Sequence, residues 1–389
     1  MRLLHTADWH VGRTVRGRSR ADEHVAVLAE IAGVAARERV DVVLVAGDVF
    51  DSAAPTAEAE RIVYQALLDL AGTGATVVVV AGNHDNPRRL QAVAPVLRLG
   101  RVVTGALVSP PDAGGVVTVE AGGQRARLAL LPFLSQRDIV RADDLMTAGA
   151  ADHAGKYAER ARRILAVLCA GFEPDAVNLV LGHLMVAGGV TGGGERSAHT
   201  IFDYWVPATA FPTDAHYVAL GHLHRTQSVA GPCPIWYAGS PLQLDFGETA
   251  NEPAVLVVDA APHRPVEVRA VPLTSGRRLR TLRGDLEDLA GRAGTAGDDH
   301  LRVVVEGPSR AGLAEQVREL FPNAVDVAVV TPDRVERPER SRRLGRSPHE
   351  LFAEYLADRE ATDERVVALF DELLDAVHAP GEPHAAHQA

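Results

Sequence analysis

The 389-residue chain is poor in cysteine and lysine, and each shortage says something. Two cysteines, Cys169 and Cys233, cannot build a disulfide framework, and neither stands in a motif with zinc-ligand spacing. No apolar run is long enough to span a bilayer. Arg2 is followed by too few apolar residues before His5 and Asp8 to form a signal-peptide core, so the expected compartment is a reducing cytoplasm. The glycine-dense stretch Gly188 to Gly194 lacks the Lys-Ser/Thr ending of a phosphate-binding loop and is expected to form a flexible rim. No nucleotide-binding motif lies elsewhere, so the sequence does not determine ATP dependence. Lys156 is the only lysine, leaving positive charge to arginine.

A net charge of −11 argues at first against a polyanionic substrate. The distribution is uneven, however. Arg13, Arg16, Arg18 and Arg20 cluster near the N-terminus, Arg88 and Arg89 follow later, and another basic run spans Arg334 to Arg346, while acid gathers after Ser347. Arginine runs are usually solvated surface, so Arg13, Arg16, Arg18, Arg88 and Arg89 are DNA-contact candidates only if a suitable site lies beside them.

What the chain does have is a set of buried strands that end in polar residues. Val42 to Val45 continues through Ala46-Gly47 to Asp48, an apolar β-branched run of the kind found in a sheet covered on both faces. Val77 to Val80 runs through Ala81-Gly82 into Asn83-His84-Asp85, and Leu3-Leu4-His5-Thr6-Ala7 runs into Asp8-Trp9-His10. Later, Ala176 to Gly182 ends at His183, and Tyr217 to Gly221 delivers His222-Leu223-His224. Open α/β sheets place ligands at the carboxyl ends of their strands, so these motifs are expected to meet at one edge.

Between them lie helical patterns: Ala21 to Glu38, a helix begun at Pro55-Thr56 and ended by Gly72-Thr73-Gly74, a short helix capped by Asn86-Pro87, and Tyr157 to Ala170. Val255 to Val258 and Val266 to Val271 suggest closing strands of a second sheet. From Ser275 a small βαβαβ appendage follows. Leu351, Phe352, Tyr355 and Leu356, then Val366 to Val377, mark two amphipathic helices. The expected division is 1–274 for the main α/β domain, 275–331 for the appendage, 332–346 for an arginine-rich linker, 347–378 for the terminal helices and 379–389 for a disordered tail.

Two divalent cations about 3.5–4 Å apart can hold and polarise a phosphodiester. Asp48 is the natural shared ligand, because a carboxylate has two oxygens. Asp8, His10 and His224 would complete one ion, and Asn83, His183 and His222 the other. Oxygen and imidazole donors without thiolate suit Mn²⁺, Fe²⁺ or Zn²⁺ better than Mg²⁺. His84 is left to give a proton to a leaving alkoxide, and Asp85 to orient one of the rings. A small-molecule phosphodiesterase and a decayed scaffold are the alternatives; metal analysis and substrate choice separate them.

The five motifs, His5 to His10, Gly47-Asp48-Val49-Phe50-Asp51, Gly82 to Asp85, Gly182-His183 and Gly221 to His224, come in the order of the calcineurin-like metallophosphoesterases, and the chain resembles that family. Gly12-Arg13, Asp22-Glu23-His24, Tyr237 to Pro241 and Pro348 to Phe352 make it most similar to bacterial nucleases that work with a coiled-coil ATPase. The likeness covers nearly the whole chain, weakening from Gly276 to Arg346. It implies a two-sheet sandwich flanked by helices, a DNA-capping role for the appendage, and terminal helices that dock on the ATPase. It also implies Mn²⁺-dependent exonuclease action on duplex ends and endonuclease action on single strands and hairpins, in DNA repair and recombination, by a homodimer within a heterotetramer. Asp51 stands where some relatives carry histidine and is left without a role.

Overall fold

The computed structural model of the protein describes residues 1–135, 157–195 and 205–330, with residues 352, 356, 365, 366, 369 and 370. The chain divides into two compact units, Met1–Val330 and Thr331–Ala389. The first is built on two six-stranded sheets. One runs in the order Glu267–Pro272, Ala254–Asp259, Arg2–Thr6, Val42–Val45, Thr76–Val80, Val102–Gly105. The other runs Gln227–Val229, Ile235–Tyr237, Tyr217–Gly221, Val177–His183, Gln124–Leu131, Val116–Ala121.

Alternation along each strand explains how the sheets stack, because successive side chains point to opposite faces. Leu3, Val42, Leu44, Val78 and Val80 face Leu128, Leu130, Leu179, Leu181, Tyr217 and Ala219 in one core between the sheets. The alternate residues, Leu4, Val43, Val45, Val77 and Val79, pack outward under the helices Ala21–Glu38, Ala57–Gly72 and Pro87–Leu99. On the far side Ala129, Val180, Val218 and Leu220 lie under the helix Tyr157–Cys169. The result is a sandwich of two sheets between helical layers, the expected architecture.

Local signals act where the sequence placed them. Thr56 caps its helix by accepting from Ala59 N–H, and Asn86 accepts from Arg89 N–H with Pro87 in the first turn. One assignment is corrected. Ala254–Asp259 and Glu267–Pro272 close the first sheet, because Ala254–Asp259 pairs antiparallel with Arg2–Thr6. Apolar pattern identifies a strand but not the neighbour it bonds to.

Residues 279–330 form three parallel strands, Leu279–Gly284, His300–Glu306 and Ala324–Val330, with helices Leu286–Gly291 and Leu313–Leu320 between them. They enclose a separate core around Leu289, Val303, Val305, Val317 and Phe321. This small subdomain is fastened to the sandwich by a buried polar node. Arg20 pairs with Glu23 at 2.7 Å and donates to the carbonyls of Arg277 and Gln243. Glu23 meets His300 at 2.8 Å, and Gln243 accepts Leu279 N–H at 2.7 Å.

In the second unit Phe352 and Phe370 are helical, and their rings stack 4.0 Å apart. Leu356, Arg365, Val366 and Leu369 are helical too; the remaining residues of the expected terminal helices, the linker and the tail fall outside the described residues.

Candidate metal centre

Because Arg2–Thr6, Val42–Val45 and Thr76–Val80 are mutually parallel, as are Val177–His183 and Tyr217–Gly221, each sheet delivers its strand ends to one edge. The strand ends meet there across very short distances, between the sheets at Gly221 and within one sheet at Gly82. A Cβ on Gly221 would overlap the carbonyl oxygen of Ala46, and one on Gly82 would overlap the Asp48 carboxylate. Glycine at these two places is what lets the strand ends close together.

Asp8, His10, Asp48, His84, His183, His222 and His224 are all buried. One ligand atom each from Asp8, His10 and His224 lie within 4.8 Å of one another, as do atoms from Asp8, Asp48 and His183, and from His10, Asp48 and His84. Asn83 Oδ1 is 2.9 Å from His183 Nε2 and 2.7 Å from His222 Nδ1, and those two nitrogens are 3.2 Å apart. Asp48 Oδ2 sits between the groups, 3.6 Å from His10 Nε2 and 3.5 Å from His183 Nε2. All seven residues expected to hold metal are therefore brought together, with Asp48 in the middle.

The donor set fits a cation. His183 Nδ1 lies 2.8 Å from the Ala46 carbonyl, which only accepts, so Nδ1 carries a hydrogen and a neutral ring turns a bare Nε2 toward Asn83 Oδ1 and Asp48. His10 Nε2 is buried with no hydrogen-bond partner among the described residues, facing the Asp48 carboxylate. Lone pairs facing lone pairs repel unless a proton or a metal ion lies between them.

The electrostatics show how strongly these carboxylates draw positive charge to the rings. Burial lowers His183, but the Asp48 carboxylate outweighs it and pushes the ring up to about 9. Burial likewise opposes charge on His224, and the Glu248 carboxylate drives it up to about 9. Burial pushes Asp8 up to about 7 against the pull of His183 and His224, whereas Asp48 is held well below the usual range, burial being overcome by His183. Burial brings His10 down to about 4 despite Asp51.

His84 lies against the cluster, its ring in edge contact with His10 at 4.5 Å. Its backbone N–H donates to Asp48 Oδ1 at 2.7 Å, and its Nδ1 is 2.8 Å from the Asp51 carbonyl. Asp51, left unassigned by the sequence, also sets its carboxylate 3.3 Å from His10 Nδ1. Asp85 departs from expectation. It accepts the backbone N–H groups of Gly82 at 2.8 Å and Phe50 at 2.9 Å, tying two strand-end loops together without hydrogen-bonding a ring.

The arginines divide. Arg13 reaches Asp51 at 3.3 Å, Arg16 pairs with Asp326 at 3.1 Å, Arg18 donates to the Pro322 carbonyl, Arg89 pairs with Glu60 at 2.6 Å, and Arg88 is exposed. Arg16 and Arg18 thus lean on the small subdomain. The glycine loop is fastened rather than loose through residue 195. Glu195 accepts from Gly192 and Gly193, and Gln227 donates to and accepts from Val190. Sequence reasoning missed Glu195 and Glu248. Both hold His224, yet neither belongs to a strand-end motif, so no local signal marked them.

A dense cluster of carboxylates, imidazoles and an amide at the strand ends of a double-sheet sandwich is the site of a metal-dependent phosphoesterase. The chain belongs to the calcineurin-like phosphoesterase family, whose family model matches residues 1–226. It is a hydrolase of phosphodiester bonds that binds divalent metal. The chain is similar to the D component of the nuclease named SbcCD in three bacteria. In Bacillus subtilis (strain 168) the identity is 36% over 284 residues, covering 72% of this chain and 71% of the relative. In Rhodobacter capsulatus it is 38% over 314 residues, covering 75% and 76%. In Escherichia coli (strain K12) it is 31% over 301 residues, covering 74% and 72%.

Proposed function

We propose that this chain is the nuclease component of an SbcC-like ATPase assembly, cutting duplex DNA ends as an exonuclease and single strands and hairpins as an endonuclease in DNA repair and recombination. The observation that carries the reading is the convergence of Asp8, His10, Asp48, Asn83, His183, His222 and His224, with His84 alongside. In this reading Asp8, His10 and His224 would hold one ion and Asn83, His183 and His222 the other, with Asp48 available to both. Mn²⁺ is the proposed metal for both positions, since imidazole and oxygen donors without thiolate suit it. Bound there, the pair would polarise the phosphoryl oxygens and activate water at neutral pH.

The protein's own residues do the rest. The Asp51 carbonyl fixes the hydrogen of His84 on Nδ1, so Nε2 is the atom at which His84 takes up and releases a proton to the departing alkoxide. Arg13 and Arg88 would meet the phosphate backbone, with Arg16, Arg18 and Arg89 as further contacts. Residues 275–331 act as the DNA-capping domain and 347–378 as the ATPase-docking helices, joined by the 332–346 linker. The assembly would be a homodimer within a heterotetramer. Exposed apolar side chains on the helix Pro87–Leu99, Val96 at 69% and Leu99 at 88%, support self-association.

The test is His84→Ala. Mn²⁺ uptake should remain at two ions per chain while DNA cleavage falls by roughly 10²–10⁴-fold, the usual worth of a positioned general acid. Cleavage at the normal rate would overturn the role of His84. DNA left uncut by the parent chain, with cyclic nucleotides hydrolysed steadily, would overturn the nuclease reading.

A further inference from the structure

His224 is held by two acids that play no part in the mechanism above. Its backbone N–H donates to Glu195 Oε1 at 3.0 Å, and its ring Nδ1 lies 2.7 Å from Glu248 Oε1. Glu248 is 1% exposed, and its second oxygen accepts the Leu244 N–H at 2.7 Å. Both carboxylate oxygens thus have a donor, which is what makes a buried acid tolerable here. A carboxylate of this kind only accepts, so Nδ1 of His224 carries a hydrogen, and Nε2 is the nitrogen left for Asp8 and His10. The surroundings are built to keep Glu248 in place. It ends the short turn Phe246–Glu248, capped by Asp245, and a Cβ on Gly194 would overlap its carboxylate.

The two halves of the centre differ in this respect. His183 is oriented by the neutral carbonyl of Ala46, and both His183 and His222 meet the neutral amide of Asn83. In the Asp8, His10 and His224 half, a buried carboxylate backs an imidazole ligand. A carboxylate behind an imidazole fixes its tautomer and raises its basicity, and losing such a partner typically lowers metal affinity 10–100-fold.

We propose that Glu248 is a positioning residue for His224 that sets the metal affinity of the Asp8, His10 and His224 half of the centre separately from the other half. This rests on the ligand assignment given under the proposed function. Glutamine at 248 keeps the volume but offers one acceptor to two donors, the His224 ring and Leu244 N–H, so it removes the charge and leaves one bond unmade. Aspartate keeps the charge one carbon short.

The experiment is Mn²⁺ titration of the full metal-free chain by calorimetry, with free Mn²⁺ followed by electron paramagnetic resonance, for the parent, Glu248→Gln and Glu248→Asp. The parent should bind two ions. Glu248→Gln should weaken one of them by roughly 10–100-fold and leave the other within about threefold, and Glu248→Asp should recover part of the loss. A thermal melt of each metal-free chain checks folding, and Glu248→Asp carries the test if the glutamine variant does not fold. Two ions bound by Glu248→Gln as tightly as by the parent, or both weakened equally, would overturn the inference while leaving the ligand assignment standing. A parent chain that binds no Mn²⁺ would overturn both.

Discussion

Asp8, His10, Asp48 and His222 all hold left-handed backbone, with φ between 49° and 97°, a conformation that non-glycine residues rarely adopt. Each such residue costs about 1–3 kcal/mol and persists only where its surroundings impose it. Here the imposition is visible. Asp8 N–H bonds to Gly47 O at 3.0 Å, His10 N–H to Asp48 O at 3.0 Å, and His222 N–H to Asp8 Oδ1 at 2.9 Å, so each strand-end loop is moulded on another. Close approach at Gly221 belongs to the same design. Gly221→Ala should leave a folded chain in which His222 and His224 are pushed away from Ala46, with fewer than two ions in elemental analysis; two tightly held ions would show that the loops tolerate the methyl.

At the scale of elements, what matters is which face each strand buries. Leu44 sits wholly buried between the two sheets, on the strand that leads into Ala46 and Asp48. Leu44→Ala should destabilise by about 2–5 kcal/mol in urea unfolding, because the sheets cannot close over the space left. The helix Ala21–Glu38 has a second role through Glu23. Burial would raise this carboxyl, but its hydrogen bonds to His300 and Arg20 hold it well below the usual carboxylate range. A carboxyl depressed in the folded state contributes stability above its unfolded value, and that contribution is lost as pH falls toward its folded value. The parent should therefore lose stability from about pH 4.5 downward more steeply than Glu23→Gln, as measured by melting temperature across pH. Parallel curves would remove Glu23 from the account.

For the whole molecule, the small subdomain is bound to the sandwich too intimately for simple excision. Leu279 packs with Val15 and Phe246, and removing residues 275–330 would bare that cluster and strip Arg20, Glu23 and Gln243 of partners. A gentler test of DNA contact reverses charge beside the site. Arg88→Glu with Arg13→Glu should slow duplex cleavage, flatten its dependence on salt, and leave a small chromogenic phosphodiester hydrolysed at near the parent rate. The proposed docking helices can be removed more safely, since Thr331–Ala389 is a compact unit of its own. A chain ending at Val330 should keep Mn²⁺-dependent hydrolysis of the small phosphodiester and lose association with an SbcC-like ATPase in gel filtration; retained association would move the docking surface elsewhere.

Much of this was legible from residue order. A strand buried on both faces declares itself by a β-branched run, and a polar motif straight after such a run lands at the strand's carboxyl end, so Asp8, His10, Asp48, Asn83, His183, His222 and His224 could be picked out once the five motifs were taken together. Helix starts at Thr56 and Asn86 were equally local, each resting on a side chain a few residues from the N–H it caps. Glu248, Asp51 and Asp85 were not legible in the same way. Their work is done on groups brought near by folding, and the same carboxylate serves a ring in one case and backbone amides in another. The pairing of Ala254–Asp259 with Arg2–Thr6, and the fastening of residues 279–330 through Arg20 and Glu23, were decided only in three dimensions. Periodicity fixes what a segment is, because it depends on neighbours in the chain; which segment it bonds to depends on neighbours in space, and those exist only once the sheets have closed.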